Sequence, residues 1–226
     1  MLISAPGIHS GIRPAEVGLI TGNGANLFIS TAQSKFGNSS LQGIPTSSAQ
    51  CQITPTTNFA FTGDFTIEFW WYPTGVTGST LLGFRPVGQA SAANTIAFFA
   101  QSGTMGVYVA NASKLSFSYS SNSWVSVALV RSGSAWTLYK NGTSTGQSYS
   151  NSNTLGATRC IIAQDDVGSG NYLLQGYMDE IRFSNIARYT ANYTPATQPF
   201  IDDGNTVLLL HFDQPNGGLN VVDDNS

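Results

Sequence analysis

Apolar and polar positions alternate along much of this chain, most clearly between Trp124 and Thr143. There it reads Trp-Val-Ser-Val-Ala-Leu-Val-Arg, a Ser-Gly-Ser break, then Ala-Trp-Thr-Leu-Tyr-Lys-Asn-Gly-Thr. Two apolar runs around a short Ser/Gly turn predict a β-hairpin. Asn141-Gly142 predicts a second tight turn, because both residues tolerate positive φ. In the second run Trp136, Leu138 and Lys140 share one face, and Thr137 and Tyr139 the other. In Val125 to Arg131 both faces are apolar, which predicts a central strand covered on two sides.

The same grammar recurs. Phe65, Ile67, Phe69 and Trp71 fall on one face of a strand that Pro73 ends, with Thr66, Glu68, Trp70 and Tyr72 on the other. Further strands are predicted at Asn26 to Ser30, Gln50 to Thr54, Ser79 to Phe84, Thr95 to Gln101, Gly106 to Ala110 and Leu115 to Tyr119. Leu155 to Ala163, Tyr172 to Leu174 and Gly176 to Phe183 complete the set. The best helical candidate, Asn185 to Tyr189, is about one turn. Many short strands bounded by Gly, Ser, Asn and Pro, with no crossover helices, predict an all-β antiparallel sandwich. Residues 1–25 are read as an arm with one short strand, Glu16 to Ile20, and residues 26–226 as a single domain.

Composition narrows the function. Charged residues make up 9% of the 226 positions, against about 25% in an average soluble protein. The net charge is −3 and no Lys/Arg cluster occurs, so the chain lacks the basic footprint of a nucleic-acid binder. No run approaches the roughly 18 apolar residues of a membrane span, and the first residues do not read as a secretory signal. Cys51 and Cys160 fit either two buried thiols or one disulfide. Sequons at Asn38, Asn111, Asn141 and Asn192 are expected by chance in a Ser/Thr/Asn-rich chain.

Four motifs occur in a telling order. They are Lys35-Phe36-Gly37-Asn38-Ser39-Ser40-Leu41, Gly63-Asp64-Phe65-Thr66-Ile67-Glu68-Phe69-Trp70, the Trp124 to Gly142 hairpin, and Gly176-Tyr177-Met178-Asp179-Glu180-Ile181-Arg182. Together they resemble the laminin-G-like branch of the concanavalin A-like lectin/glucanase superfamily, over roughly residues 26–213. The resemblance implies a jelly-roll sandwich of two antiparallel sheets. Ile29 to Gly37, Ala187 to Pro195 and Leu208-Leu209-Leu210-His211-Phe212-Asp213 look like the laminin-G-like modules of bacteriophage structural proteins. Those modules commonly carry a second Leu-Leu-Leu-His-Phe-Asp-Gly strand ahead of the Lys-Phe-Gly stretch. Here it stands only near the C-terminus, with Gln214 where Gly is usual. That strand either closes its own sandwich or adds to another subunit.

The resemblance implies a non-enzymatic virion component made in the host cytoplasm: a capsid decoration or a tail or fibre appendage. Its expected partners are other virion proteins such as the major capsid protein, further copies of itself, and a glycan. A carbohydrate-binding module or receptor-binding adhesin is the alternative, and a polysaccharide-degrading enzyme a third reading. Glycosidases of the superfamily need two carboxyl groups about 5 Å apart. Glu68 has no second acid on its strand, only Thr66, Trp70 and Tyr72. No nucleophile elbow accompanies His9 or His211, and His211 is expected to be a strand residue with a backbone partner. Alternation puts Asp179 with Tyr177, Ile181 and Phe183, on a face that reads as core, where a carboxylate must be paired. In many members an Asp in a corresponding strand binds structural Ca²⁺, which makes Asp179 the candidate metal ligand; capping the amides of a loop is the alternative. Asp165-Asp166 is a further possible donor. Trp70, Tyr72, Trp124 and Trp136 read either as core or as a platform for stacking sugars.

Overall fold

Strands form where β-branched and aromatic residues alternate with polar ones, and glycines, prolines and Ser/Asn clusters end them. A computed structural model describes residues 19–22, 26–44, 49–53, 60–84, 95–156, 160–163, 172–218 and 221. Among them there are eighteen strands and no helix.

Seven strands form one antiparallel sheet. Its order is β1 (Leu19–Gly22), β4 (Ala49–Ile53), β16 (Cys160–Ile162), β7 (Ser79–Phe84), β8 (Ile96–Gln101), β9 (Thr104–Val109) and β10 (Ala112–Ser118). The second sheet runs β13 (Thr143–Ser144), β12 (Ala135–Lys140), β11 (Val125–Ser132), β6 (Phe65–Pro73), β17 (Gly176–Ser184), β3 (Ser40–Gly43) and β2 (Leu27–Ser30). Two further strands join it, β14 (Tyr149–Ser150) on β12 and β18 (Thr206–Leu210) on β17. A small pair, β15 (Leu155–Gly156) and β5 (Ala60–Phe61), stands apart. The sheets pack face to face as a jelly-roll sandwich.

The core lies between them. Phe69 of β6 meets Phe98 of β8 edge-on at 5.4 Å, Phe84 of β7 meets Phe183 of β17 at 5.2 Å, and Phe65 meets Trp136 at 5.2 Å. Fully burying such a side chain contributes roughly 1.5–3 kcal/mol. β11 is central, between β12 and β6, and every residue from Val125 to Arg131 is buried. Asn141 and Gly142 have φ of 49° and 75°, the left-handed pair expected of that turn.

Several expectations shift. The strand predicted at Glu16 to Ile20 appears as β1, which pairs with β4 at the edge of the seven-stranded sheet. Glu16, His9, Asp165 and Asp166 lie outside the described residues. Asn185 to Tyr189 forms no helix, and Tyr172 to Leu174 forms no strand. β18 pairs with β17 of its own chain, with Ile181 opposite Leu210 and Phe183 opposite Leu208, so the C-terminal strand closes its own sandwich. Cys160 is a buried thiol opposite Ile53, and Cys51 lies opposite Ile162; the register sets the cysteines two residues apart.

Candidate functional site

The segment 185–205 lies across the outer face of the nine-stranded sheet and decides which part of that face stays open. Ala187, Tyr189 and Tyr193 pack on Ala128, Val130 and Tyr139. Phe200 and Ala196 pack with Trp70, Leu209, Phe36 and Trp124. Tyr189 and Tyr193 stack at 3.5 Å, 5° from parallel. Gly142 anchors the segment, since its carbonyl accepts the Tyr193 N–H at 2.8 Å and a Cβ there would overlap the Tyr193 carbonyl.

Carboxylates beneath this cover are paired. Glu68 is buried; its Oε1 accepts from Arg182 Nε at 2.9 Å and its Oε2 from the Tyr189 hydroxyl at 2.8 Å. Burial, then the charge of Glu68, pushes the Tyr189 and Tyr193 phenols well above the ordinary range. Arg188 binds Asp203 through both terminal nitrogens, at 2.9 and 2.8 Å, and holds that carboxyl well below its usual range. Glu180 accepts the Phe200 N–H at 2.7 Å, and its other oxygen lies 2.7 Å from His211 Nδ1. His211 follows β18 and faces the Glu180 carboxylate.

The position of Asp179 corrects the alternation argument. Asp179 lies opposite Trp70 and Arg182 opposite Glu68, so β17 carries one extra residue between them, with Glu180 at φ 53°. This bulge reverses the inside–outside pattern. Ile181 and Phe183 face the core, whereas Tyr177 and Asp179 share the outer face with Trp70 and Tyr72. Asp179 is fully buried there. One oxygen accepts the N–H groups of Lys35, at 2.7 Å, and Phe36, at 3.3 Å; the other accepts that of Glu180 at 2.9 Å. Burial pushes its carboxyl up to about 8, against these three donors. N–H groups on both oxygens are the arrangement of the alternative reading, a carboxyl that caps the amides of a loop. Among the described residues no group of three His, Cys, Asp or Glu could hold a metal ion. Asp213 does similar work, accepting the Asn38 and Ser39 N–H groups at 2.7 and 3.2 Å and lying against Gly37.

Beyond the covered area the outer face is open. Phe28 lies opposite Gln42, Gln42 opposite Tyr177, and Tyr177 opposite Tyr72. Trp124, just before β11, meets the Tyr72 ring at 5.5 Å; the Tyr72 and Tyr177 rings are 5.8 Å apart. The five residues form one transverse row, all half-buried, across β2, β3, β17, β6 and the entrance to β11. At about 4.8 Å between strands the row is roughly 19 Å long. Among the described residues no hydrogen bond occupies the Gln42 carboxamide or either phenol. Apolar rings with unoccupied polar tips form a surface suited to a flat, hydroxylated ligand.

Of the four aromatic candidates from the sequence, only Tyr72 and Trp124 belong to this row. Trp136 is core, its indole N–H donating to the Asn151 carbonyl at 2.8 Å, and Trp70 is buried under Phe36 and Phe200. Phe28, Gln42 and Tyr177 were missed. Alternation held a signal for them: Phe28 between core Leu27 and Ile29, and Tyr177 beside core Met178. A second aromatic group, Phe99, Tyr108 and Tyr172, lies on the seven-stranded side, with Phe99 5.0 Å from Tyr172 and 5.9 Å from Tyr108.

Two antiparallel sheets in this order, with an aromatic row on one outer face, define a lectin-like jelly-roll sandwich. The chain belongs to the concanavalin A-like lectin/glucanases superfamily; a laminin-G-type family model matches residues 45–192. No curated protein matches it. Among solved structures it is similar to tailspike protein 2 of an Escherichia coli O157:H7 bacteriophage, with a TM-score of 0.63 and 12% identity, covering 91% of this chain and 31% of that one. A putative carbohydrate-binding protein from Bacteroides ovatus gives 0.54 at 15% identity, covering 88% and 53%. Domain 4 of an extracellular arabinanase from Geobacillus stearothermophilus, solved with arabinotriose, gives 0.52 at 17%, covering 74% and 81%. The chain thus spans about a third of the tailspike's length. These likenesses establish the fold.

Proposed function

We propose that this chain is a non-enzymatic bacteriophage virion protein, a tail or fibre appendage or a capsid decoration, whose sandwich binds a surface glycan. The transverse row of Phe28, Gln42, Tyr177, Tyr72 and Trp124 carries the reading, because it is the aromatic surface that the 185–205 cover leaves open. The virion setting is supported by the three motifs that resemble phage structural modules and by the fold shared with a phage tailspike. A non-enzymatic role is supported by Glu68, whose two oxygens are held by Arg182 and Tyr189 beneath the cover.

The test has two parts. Mass spectrometry of purified virions should find the chain, and its absence would end the virion reading. In a screen of bacterial surface polysaccharides, Tyr72→Ala and Trp124→Ala should abolish binding while Phe99→Ala and Tyr172→Ala preserve it. Loss confined to the Phe99 and Tyr172 variants would move the site to the other sheet.

A further inference from the structure

We propose, on the reading that the aromatic row binds a glycan, that the ligand is anionic and that Lys35 receives its charged group. The Lys35 side chain leaves a loop fixed by Asp179, which accepts the Lys35 backbone N–H at 2.7 Å. Its ammonium lies 4.0 Å from the centre of the Trp70 ring and 5.2 Å from that of Phe36. Trp70 is two positions before Tyr72 on the same face of β6, so the charge stands beside the fourth of the row's five positions.

The buried carboxylates of this face are engaged by other groups. Glu68 is held by Arg182 and Tyr189, Glu180 by Phe200 and His211, and Asp179 by three backbone N–H groups. Among the described residues Lys35 has no ion pair. An unpaired ammonium next to rings that stack on sugars matches a saccharide bearing one negative charge. Carboxylate and phosphodiester share that chemistry.

The experiment uses the full chain on an array of bacterial polysaccharides in neutral, uronate-bearing and phosphodiester-bearing sets, followed by titration calorimetry on the hits. Binding is expected in an anionic set, weakened by added salt. Lys35→Gln should weaken it about tenfold or more, since a hydrogen bond to a charged group is lost. The melting temperature should fall only slightly, by what the lost contact with the Trp70 ring contributes, because the backbone N–H bound to Asp179 remains. The two anionic sets distinguish the sources of charge. Hits confined to neutral glycans, or anionic hits indifferent to Lys35→Gln, would overturn the proposal and leave the aromatic row as the site. No hits in any set, or hits indifferent to Tyr72→Ala, would overturn the reading on which it rests.

Discussion

Substituting Glu68 by Gln separates a structural carboxylate from a catalytic one. Glu68 is 2% exposed and Arg182 8%, with Arg182 nitrogens at 2.9 and 2.8 Å from one carboxylate oxygen. The substitution leaves the Arg182 guanidinium buried over the Phe200 ring, 4.3 Å from its centre, with only the Ile201 carbonyl at 3.2 Å for compensation. It also turns an amide N–H₂ toward either Arg182 or the Tyr189 hydroxyl, which both donate to Glu68. Breaking a buried pair by removing one partner costs about 3–5 kcal/mol, a large part of a typical total of about 5–15. Urea unfolding followed by tryptophan fluorescence should show that loss as a lower midpoint at unchanged slope. The double variant Glu68→Gln/Arg182→Met should be more stable than Glu68→Gln alone, because no buried charge is then left over. A loss below about 1 kcal/mol, the range of exposed pairs, would refute the reasoning. So would polysaccharide hydrolysis that vanishes in the variant while stability holds.

Two further outcomes follow from the same outer face. The Asp179 carboxyl moves from 3.8 to about 8 on folding, so the folded state keeps a proton that the unfolded chain releases. Its contribution to stability is complete below about pH 4 and declines toward about pH 8, by at most about 1.4 kcal/mol per pH unit. Urea midpoints across that window should fall more steeply for the natural chain than for Asp179→Asn, and parallel curves would contradict this. Gly142→Ala forces a side chain into φ 75° and against the Tyr193 carbonyl. It should cost about 1–2 kcal/mol for the left-handed backbone and about 1 kcal/mol for the displaced hydrogen bond. Faster tryptic cleavage at Arg188 would show that the 185–205 segment has lifted, and unchanged cleavage would show that Gly142 does not anchor it.

Much of the sandwich was legible because the signal was local. The hairpin from Val125 to Lys140, the Asn141-Gly142 turn and the faces of β6 all follow from alternation within a few residues. The bulge was not legible. Glu180 adopts positive φ with no glycine to announce it, and that one extra residue carries Asp179 to the opposite face. The cover at 185–205 has neither a helical nor a strand period; contacts with distant residues fix its path, such as Thr66 Oγ1 donating to the Ile186 carbonyl. The aromatic row needed register. Tyr72 and Trp124 stood out by type, but Phe28, Gln42 and Tyr177 join them only once β2, β3 and β17 are aligned.

The free edge of β17 is shared by two short strands from opposite ends of the described chain. β3 pairs with Gly176 to Met178, and β18 with Ile181 to Ser184. On the ribosome, β17 can dock on β6 and β3 as soon as it emerges. Half of its edge then waits, with backbone N–H and C=O groups unpaired, until Leu210 has been made. An unfinished strand edge is a template for another chain. The cell's exposure to aggregation by this protein is therefore set late in synthesis, and a chain cut before Thr206 should precipitate rather than remain as a smaller soluble sandwich.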